Sequence, residues 1–278
     1  MNKTILITGC SSGFGKAAAR LFIAKGWNVI ATMRAPDQET ELTNSTNLLL
    51  ARLDVQDAAS IHNAVETGIE RFGQIDALIN NAGFSLAGVF ESIPREKILE
   101  QFEVNVFGVM EVTRALLPHF RWNRSGLILN VSSRAGLVGL PMLTLYCAAK
   151  YALEGFSESL AYELASQNII VKLVEPSGGV SSTDFGQRMG AERTQINAPA
   201  DYDRFIARTN AAYAGMGAKR MATATEVAQV LHEAATDVTN RLRYFTGEDT
   251  GGLAQARREL SEADFREFMR ARFPLEAP

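Results

Sequence analysis

Tyr146 and Lys150 stand four residues apart in Tyr146-Cys147-Ala148-Ala149-Lys150, a spacing that puts a phenol and an ammonium on one face of a helix. A free tyrosine titrates near pH 10. A cation beside it favours the phenolate and lowers that value, which yields a group able to exchange a proton with an alcohol or carbonyl oxygen near neutral pH. Tyr-x-x-x-Lys is common by chance, so the pair needs support from elsewhere in the chain.

That support begins at Thr8-Gly9-Cys10-Ser11-Ser12-Gly13-Phe14-Gly15, which follows a short apolar run and opens a helical stretch, Lys16–Lys25. Glycines at such a turn let backbone N–H groups approach a pyrophosphate, whose charge a helix N-terminus favours. Gly9, Ser11, Ser12, Gly13, Phe14 and Gly15 are therefore the candidate nucleotide contacts. The same residues fit two other patterns less well. Gly9-x-Ser11-x-Gly13 matches a hydrolase nucleophile elbow, which requires an acid and a histidine further on; His62, His119 and His232 sit in no recognisable motif. A phosphate-binding loop of the Gly-x-x-x-x-Gly-Lys-Ser/Thr type fails, because Cys10 takes the first glycine and Ala17 the hydroxyl position.

About twenty residues past such a loop, dinucleotide binders choose their cofactor: an acid takes the ribose 2′-hydroxyl of NAD, a basic residue the 2′-phosphate of NADP. Here the text is Ala31-Thr32-Met33-Arg34, with no acid until Asp37. A guanidinium pairs with phosphate through two hydrogen bonds, so Arg34 points to NADP(H). The alternative is NAD(H), with Asp37 reaching back to the ribose.

These groups need a scaffold. Thr4–Ile7, Val29–Ala31, Leu48–Leu50, Ala77–Ile79, Leu127–Val131 and Ile169–Val174 read as strands apolar on both faces, and between them lie segments with apolar residues three and four apart. Strand and helix in alternation predict an α/β fold: a single Rossmann-type, doubly wound parallel sheet with helices on both faces. A further strand at Leu242–Thr246 makes about seven. Helices are expected at Leu99–Phe120, Leu145–Ala165, Thr225–Ala235 and Ala254–Phe273. With no repeat or linker, residues 1–278 read as one domain, in which 177–220 is a substrate lid and 221–278 a C-terminal extension.

Composition narrows the class. Hydrophobic residues are 46% and charged residues 21%, ordinary for a domain with a large core. The net charge of −3 and dispersed basic residues argue against nucleic acid. No apolar run approaches the roughly 20 residues of a membrane helix, and the N-terminus lacks a signal-peptide core. Cys10 and Cys147 form no disulfide framework and sit where a small apolar residue would serve, so a cytoplasmic setting is expected. No metal is expected.

Taken together, Thr8–Gly15, Asn80-Asn81-Ala82-Gly83, Asn105, Ser133, and Tyr146 with Lys150 resemble, in order and spacing, the short-chain dehydrogenase/reductase family over residues 3 to about 185. The likeness is greatest to the branch containing hydroxysteroid and retinol dehydrogenases. The resemblance implies that Tyr146 is the general acid or base and that Lys150 lowers its pKa and binds the nicotinamide ribose. It implies that Ser133 hydrogen-bonds the substrate oxygen and that Asn105 holds a water in a proton relay. Asn81, Ala82 and Gly83 would line the adenine-ribose side, with Asn81 also fixing the central strand. Asp54 would accept from the adenine amino group, or else cap a helix.

After the sixth strand the family pattern is broken. Ser177 stands where a glycine is usual in Glu175-Pro176-Ser177-Gly178-Gly179-Val180-Ser181-Ser182-Thr183. Pro176, Val180 and Thr183 are the candidate nicotinamide contacts. Phe84, Leu86, Leu137, Val138, Leu140, Met142 and Leu143 suit walls for a hydrophobic carbonyl compound or secondary alcohol. The resemblance also implies a homodimer or homotetramer through the two long helices. A non-catalytic NADP(H)-binding regulator is the reading of a different class, and an intact Ser133, Tyr146 and Lys150 argue against it.

Overall fold

The computed structural model describes residues 2–42, 45–176, 180–181, 198–215 and 222–273. Seven parallel strands lie in the order β3-β2-β1-β4-β5-β6-β9: β1 (Thr4–Ile7), β2 (Asn28–Met33), β3 (Leu48–Arg52), β4 (Ala77–Asn80), β5 (Gly126–Val131), β6 (Ile169–Pro176) and β9 (Arg243–Thr246). The helices are α1 (Gly13–Ala24), α2 (Ala58–Phe72), α3 (Arg95–Phe102), α4 (Gly108–Asn123), α5 (Thr144–Ala165), α6 (Asp203–Gly215), α7 (Ala224–Thr236), α8 (Leu253–Glu259) and α9 (Glu262–Arg272). Two-residue strands β7 (Val180–Ser181) and β8 (Ala222–Thr223) pair outside the main sheet. This is the expected doubly wound sheet.

Side chains alternate across each strand, and both faces are dry. Ile5, Ile7, Val29 and Ile79 face Phe22 of α1 and Val227 and Leu231 of α7. Leu6, Ile30, Leu78 and Ile128 face Ile61 of α2, Leu116 and Phe120 of α4, and Leu160 of α5. Burial on both faces is why these strands read as continuous apolar runs.

Three expectations are corrected. The helix foreseen over Leu99–Phe120 is α3 and α4 joined through a π-turn, Glu103–Phe107; the apolar periodicity runs through the insertion and so conceals it. The helix foreseen over Ala254–Phe273 breaks after Glu259, where Leu260 is extended and Ser261 caps α9 by accepting from the Asp264 N–H at 3.2 Å. The stretch 177–220, read without a clear strand, contains β7 and helix α6. No helix among the described residues is long and apolar enough to cross a membrane.

Candidate active site

Strand order reverses between β1 and β4, so a crevice opens at their carboxyl ends, where such sheets bind ligands. The glycine turn fills one side. Gly9 and Gly13 have φ of 74° and 56°, a region that favours glycine. Asn81 clamps the turn to β4: its Nδ2 donates to the carbonyls of Thr8 at 2.9 Å and Gly9 at 3.1 Å, and its N–H and that of Ala82 donate to Thr8 Oγ1. A Cβ on Gly15 would stand 2.2 Å from the Gly9 carbonyl oxygen and 2.6 Å from Asn81 Nδ2, and one on Gly9 would stand 2.9 Å from Ala82 Cα. The packing of the turn against itself and Asn81 therefore requires glycine at both positions. Gly15→Ala should cost about 3 kcal/mol or more, since rigid backbone must move. Gly155→Ala on α5, where nothing lies within 4 Å of the new methyl, should be neutral or slightly stabilising; denaturant melts of the pair check both.

Beside the turn, Ser11, Lys16, Met33, Arg34, Gln38 and Glu39 line a cleft of about 350 Å³. Arg34 is exposed at its edge, immediately after β2. Asp37 sits exposed on the turn Pro36–Gln38; the acids of the cleft are Glu39 and Glu41. Lys16, which sequence reasoning passed over, lies 3.1 Å from each of them. Burial would raise the Glu39 carboxyl, but the amides of Leu42 and Glu41 and the Lys16 ammonium outweigh it and hold it below the usual range.

Asp54 accepts from the Gln56 N–H at 3.1 Å in a local turn. The cap of α2 is Asp57, which accepts from the Ser60 N–H, so the capping role does not fall to Asp54.

Across the crevice, α5 brings Tyr146 and Lys150 to the end of β5, where Ser133 begins a short turn and accepts from the Ala135 N–H at 3.2 Å. Tyr146 is 9% exposed and Lys150 6%. Burial pushes the Tyr146 phenol up to about 12, against the pull of its hydrogen bond with Ser133. Burial also brings Lys150 down to about 8, against the Glu154 carboxylate. The depressed tyrosine foreseen from Tyr-x-x-x-Lys is thus reversed in the free chain, where desolvation outweighs the Ser133 hydrogen bond and Lys150 is not among the groups that shift the phenol. The ammonium lies 5.8 Å from the Tyr146 ring centre and donates to the Val131 carbonyl at 2.8 Å.

Asn105, fully interior, lies on the π-turn. It accepts from the Phe84 N–H at 3.1 Å and donates to the Phe84 carbonyl at 2.8 Å, so its amide braces the segment after β4. A Cβ on Gly83 would stand 2.5 Å from Asn105 Oδ1. A polar ladder that sequence reasoning missed holds α5 to the sheet. Asn80 donates to Thr113 Oγ1 at 3.1 Å and Asn130 Oδ1 at 2.9 Å, and Asn130 donates to Ser157 Oγ at 2.8 Å. Only the register Asn80↔Asn130 reveals it.

The foreseen apolar walls divide. Leu140 and Leu143 pack against Tyr146 and Cys147. Phe84 and Leu86 belong to a core cluster with Ile93 and Leu145, while Leu137 and Val138 lie under Phe265 of α9. The Met142 carbonyl accepts from the Gly88 N–H at 2.9 Å. Cys147 does more than fill space: its sulfur accepts from the Leu140 N–H and donates to the Val138 carbonyl. Over this region α6 docks through Tyr213, whose hydroxyl donates to the Pro141 carbonyl at 2.9 Å. Pro176 ends β6 opposite Thr246, and the Val180 backbone pairs with Ala222. Thr183 lies outside the described residues. The histidines are elsewhere: His119 accepts from the Ile75 N–H, His232 lies tilted against the Phe22 ring, and His62 is exposed on α2.

Residues 3–194 match the model of the family described as short chain dehydrogenase. Two oxidoreductases of Schizosaccharomyces pombe are each 38% identical to this chain over 236 residues, covering 84% of it and 96% of the relative. A short-chain dehydrogenase of Streptomyces avermitilis superposes with a TM-score of 0.81 at 29% identity, over 100% of this chain and 99% of its own. A 3-ketoacyl-(acyl-carrier-protein) reductase of Brucella melitensis, solved with NADH, superposes with a TM-score of 0.71 at 26% identity, over 88% and 97%.

Proposed function

The chain belongs to the short-chain dehydrogenase family, and on that premise we propose that it is an NADP(H)-dependent oxidoreductase acting on a hydrophobic carbonyl compound or the corresponding secondary alcohol. The observation that carries this reading is the buried Ser133–Tyr146 hydrogen bond beside Lys150, at the end of β5 and across the crevice from the glycine turn. Gly9, Ser11, Ser12, Gly13, Phe14 and Gly15 would hold the pyrophosphate, and Asn81, Ala82, Gly83 and Asp54 the adenosine side. The nucleotide, when bound, supplies or accepts the hydride.

In reduction, Ser133 and Tyr146 donate hydrogen bonds to the carbonyl oxygen, and the Tyr146 proton passes to it as negative charge develops. A phenol pushed up to about 12 is fully protonated at neutral pH, which suits it to act as an acid. As a base in oxidation it depends on the Lys150 cation to stabilise the phenolate. Asn105, by bracing Phe84 and Gly83, fixes the rim of the crevice on the β4 side.

NADP(H) preference rests on Arg34, at the cleft that also holds Ser11 of the glycine turn. Glu39 and Glu41 in that cleft favour the second reading, NAD(H). Titration with NADPH and with NADH, followed by nucleotide fluorescence, separates the two. NADPH should bind more tightly, and Arg34→Asp should weaken it roughly tenfold to a hundredfold, the value of a lost charge-assisted pair of hydrogen bonds. An unchanged preference in that variant would assign the phosphate to another residue, with Lys16 next in line.

A further inference from the structure

One helical turn from Lys150 lie two interior carboxyl groups that the proton transfer above does not use. Glu154 of α5 is 5% exposed and Glu175, next to last in β6, is fully buried. Both lean on one nitrogen, Arg243 Nε of β9, which is 3.0 Å from Glu154 Oε2 and 3.5 Å from Glu175 Oε1. The Arg243 Nη2 is taken by Glu158 at 2.6 Å. One guanidinium thus faces three carboxylates, and an interior relieves such an excess by keeping one of them protonated.

The hydrogen-bond pattern indicates which. Both Glu175 oxygens are buried without a hydrogen bond among the described residues, whereas Glu154 has one from Arg243 Nε and one with the Ser132 hydroxyl. An ionised carboxylate only accepts, so an enclosed carboxyl that no donor reaches is the one an interior keeps protonated. The other groups facing the pair are Lys150 and the Ser132 hydroxyl, Arg134, which is held by Asp249 at 3.1 Å, and Arg258 of α8 above the Phe245 ring. Burial raises both carboxyls. Glu175, raised further by Glu154 against Arg243, Arg134 and Arg258, reaches about 8. The segment after Ser133 presses on the same turn of α5: a Cβ on Gly136 would stand 2.9 Å from Glu154 Cγ and 3.0 Å from the Lys150 carbonyl oxygen.

We infer that Glu175 holds a proton and Glu154 does not, and that the Glu154 carboxylate is the counter-charge that keeps Lys150 an ammonium. Both are positioning residues, acting on the reaction through Lys150. The inference rests on the proposed function only for what Lys150 does. It is tested in the intact chain labelled with ¹³C at the glutamate δ-carbons. One carbon should titrate far above the ordinary carboxylate range by NMR, and Glu175→Gln should remove that signal. In Glu154→Gln, Lys150 loses its counter-charge, so the alkaline limb of kcat should move to lower pH by about one unit, tenfold in proton concentration. Ordinary titration of every glutamate in the unsubstituted chain would overturn the pairing, and an unmoved limb in Glu154→Gln would overturn the link to Lys150. If no carbonyl or alcohol turns over at all, the hydride-transfer reading fails, while the NMR titration still decides the pair.

Discussion

Tyr146→Phe is expected to lower turnover about a thousandfold, the scale of a lost general acid, while nucleotide affinity stays within about a factor of two. The ring keeps its contacts with Ala135, Cys147, Leu140 and Leu143. Ser133 loses its hydrogen bond with the phenol but keeps the one from the Ala135 N–H. The change is therefore confined to a single hydroxyl in a dry recess, and stability should move by no more than about 1 kcal/mol. Steady-state rates with a carbonyl substrate, paired with fluorescence titration of NADPH, separate the two effects. More than a tenth of the original turnover would mean that another group delivers the proton.

The scaffold around that hydroxyl was legible in the chain because its cause is local. Strands such as Ile5-Leu6-Ile7 are buried on both faces and so are apolar throughout, and the glycine turn announces itself by residue type. What was not legible depends on contacts between distant residues. The π-turn at Glu103–Phe107 leaves no mark, because Leu99, Phe102, Val106, Val109, Val112, Leu116 and Phe120 keep steps of three and four residues through it. Asn80 and Asn130 look like isolated polar interruptions until the strands are set in register. Of the boundaries, the break before α9 could have been found, since Ser261-Glu262-Ala263-Asp264 has the spacing of a helix start.

The electrostatics of the site were the least legible part. Tyr-x-x-x-Lys suggests a lowered tyrosine, but the sign of a shift depends on how dry the pair is, and burial is a property of the whole fold. Glu175 reads as the polar end of a strand, and only the fold reveals it wholly enclosed beside Glu154 and Arg243.

The same dryness makes Lys150→Met the sharpest test of the site, because its two effects should run in opposite directions. Turnover should fall by at least two orders of magnitude, since the cation that supports the tyrosine is gone. Stability should rise. Lys150 titrates at about 8 in the folded chain against an ordinary value of 10.5, so below pH 8 the fold carries a desolvation cost on the order of 3 kcal/mol. A buried thioether of similar length avoids that cost. Losing the bond to the Val131 carbonyl returns about 1 kcal/mol, leaving a gain of about 2 kcal/mol at pH 7. The sign follows from proton counting. Between pH 8 and 10.5 the unfolded chain holds the lysine proton and the folded chain does not, so the original protein gains stability as pH rises through that window. The advantage of Lys150→Met should therefore be constant below pH 8, shrink above it by about 1.4 kcal/mol per pH unit, and be gone at about pH 9.5. Thermal melts of both proteins across that range decide it. A variant less stable at pH 7 would mean that the ammonium's partners, Val131 and Glu154, already outweigh its burial, and that the lysine serves the fold as well as the reaction.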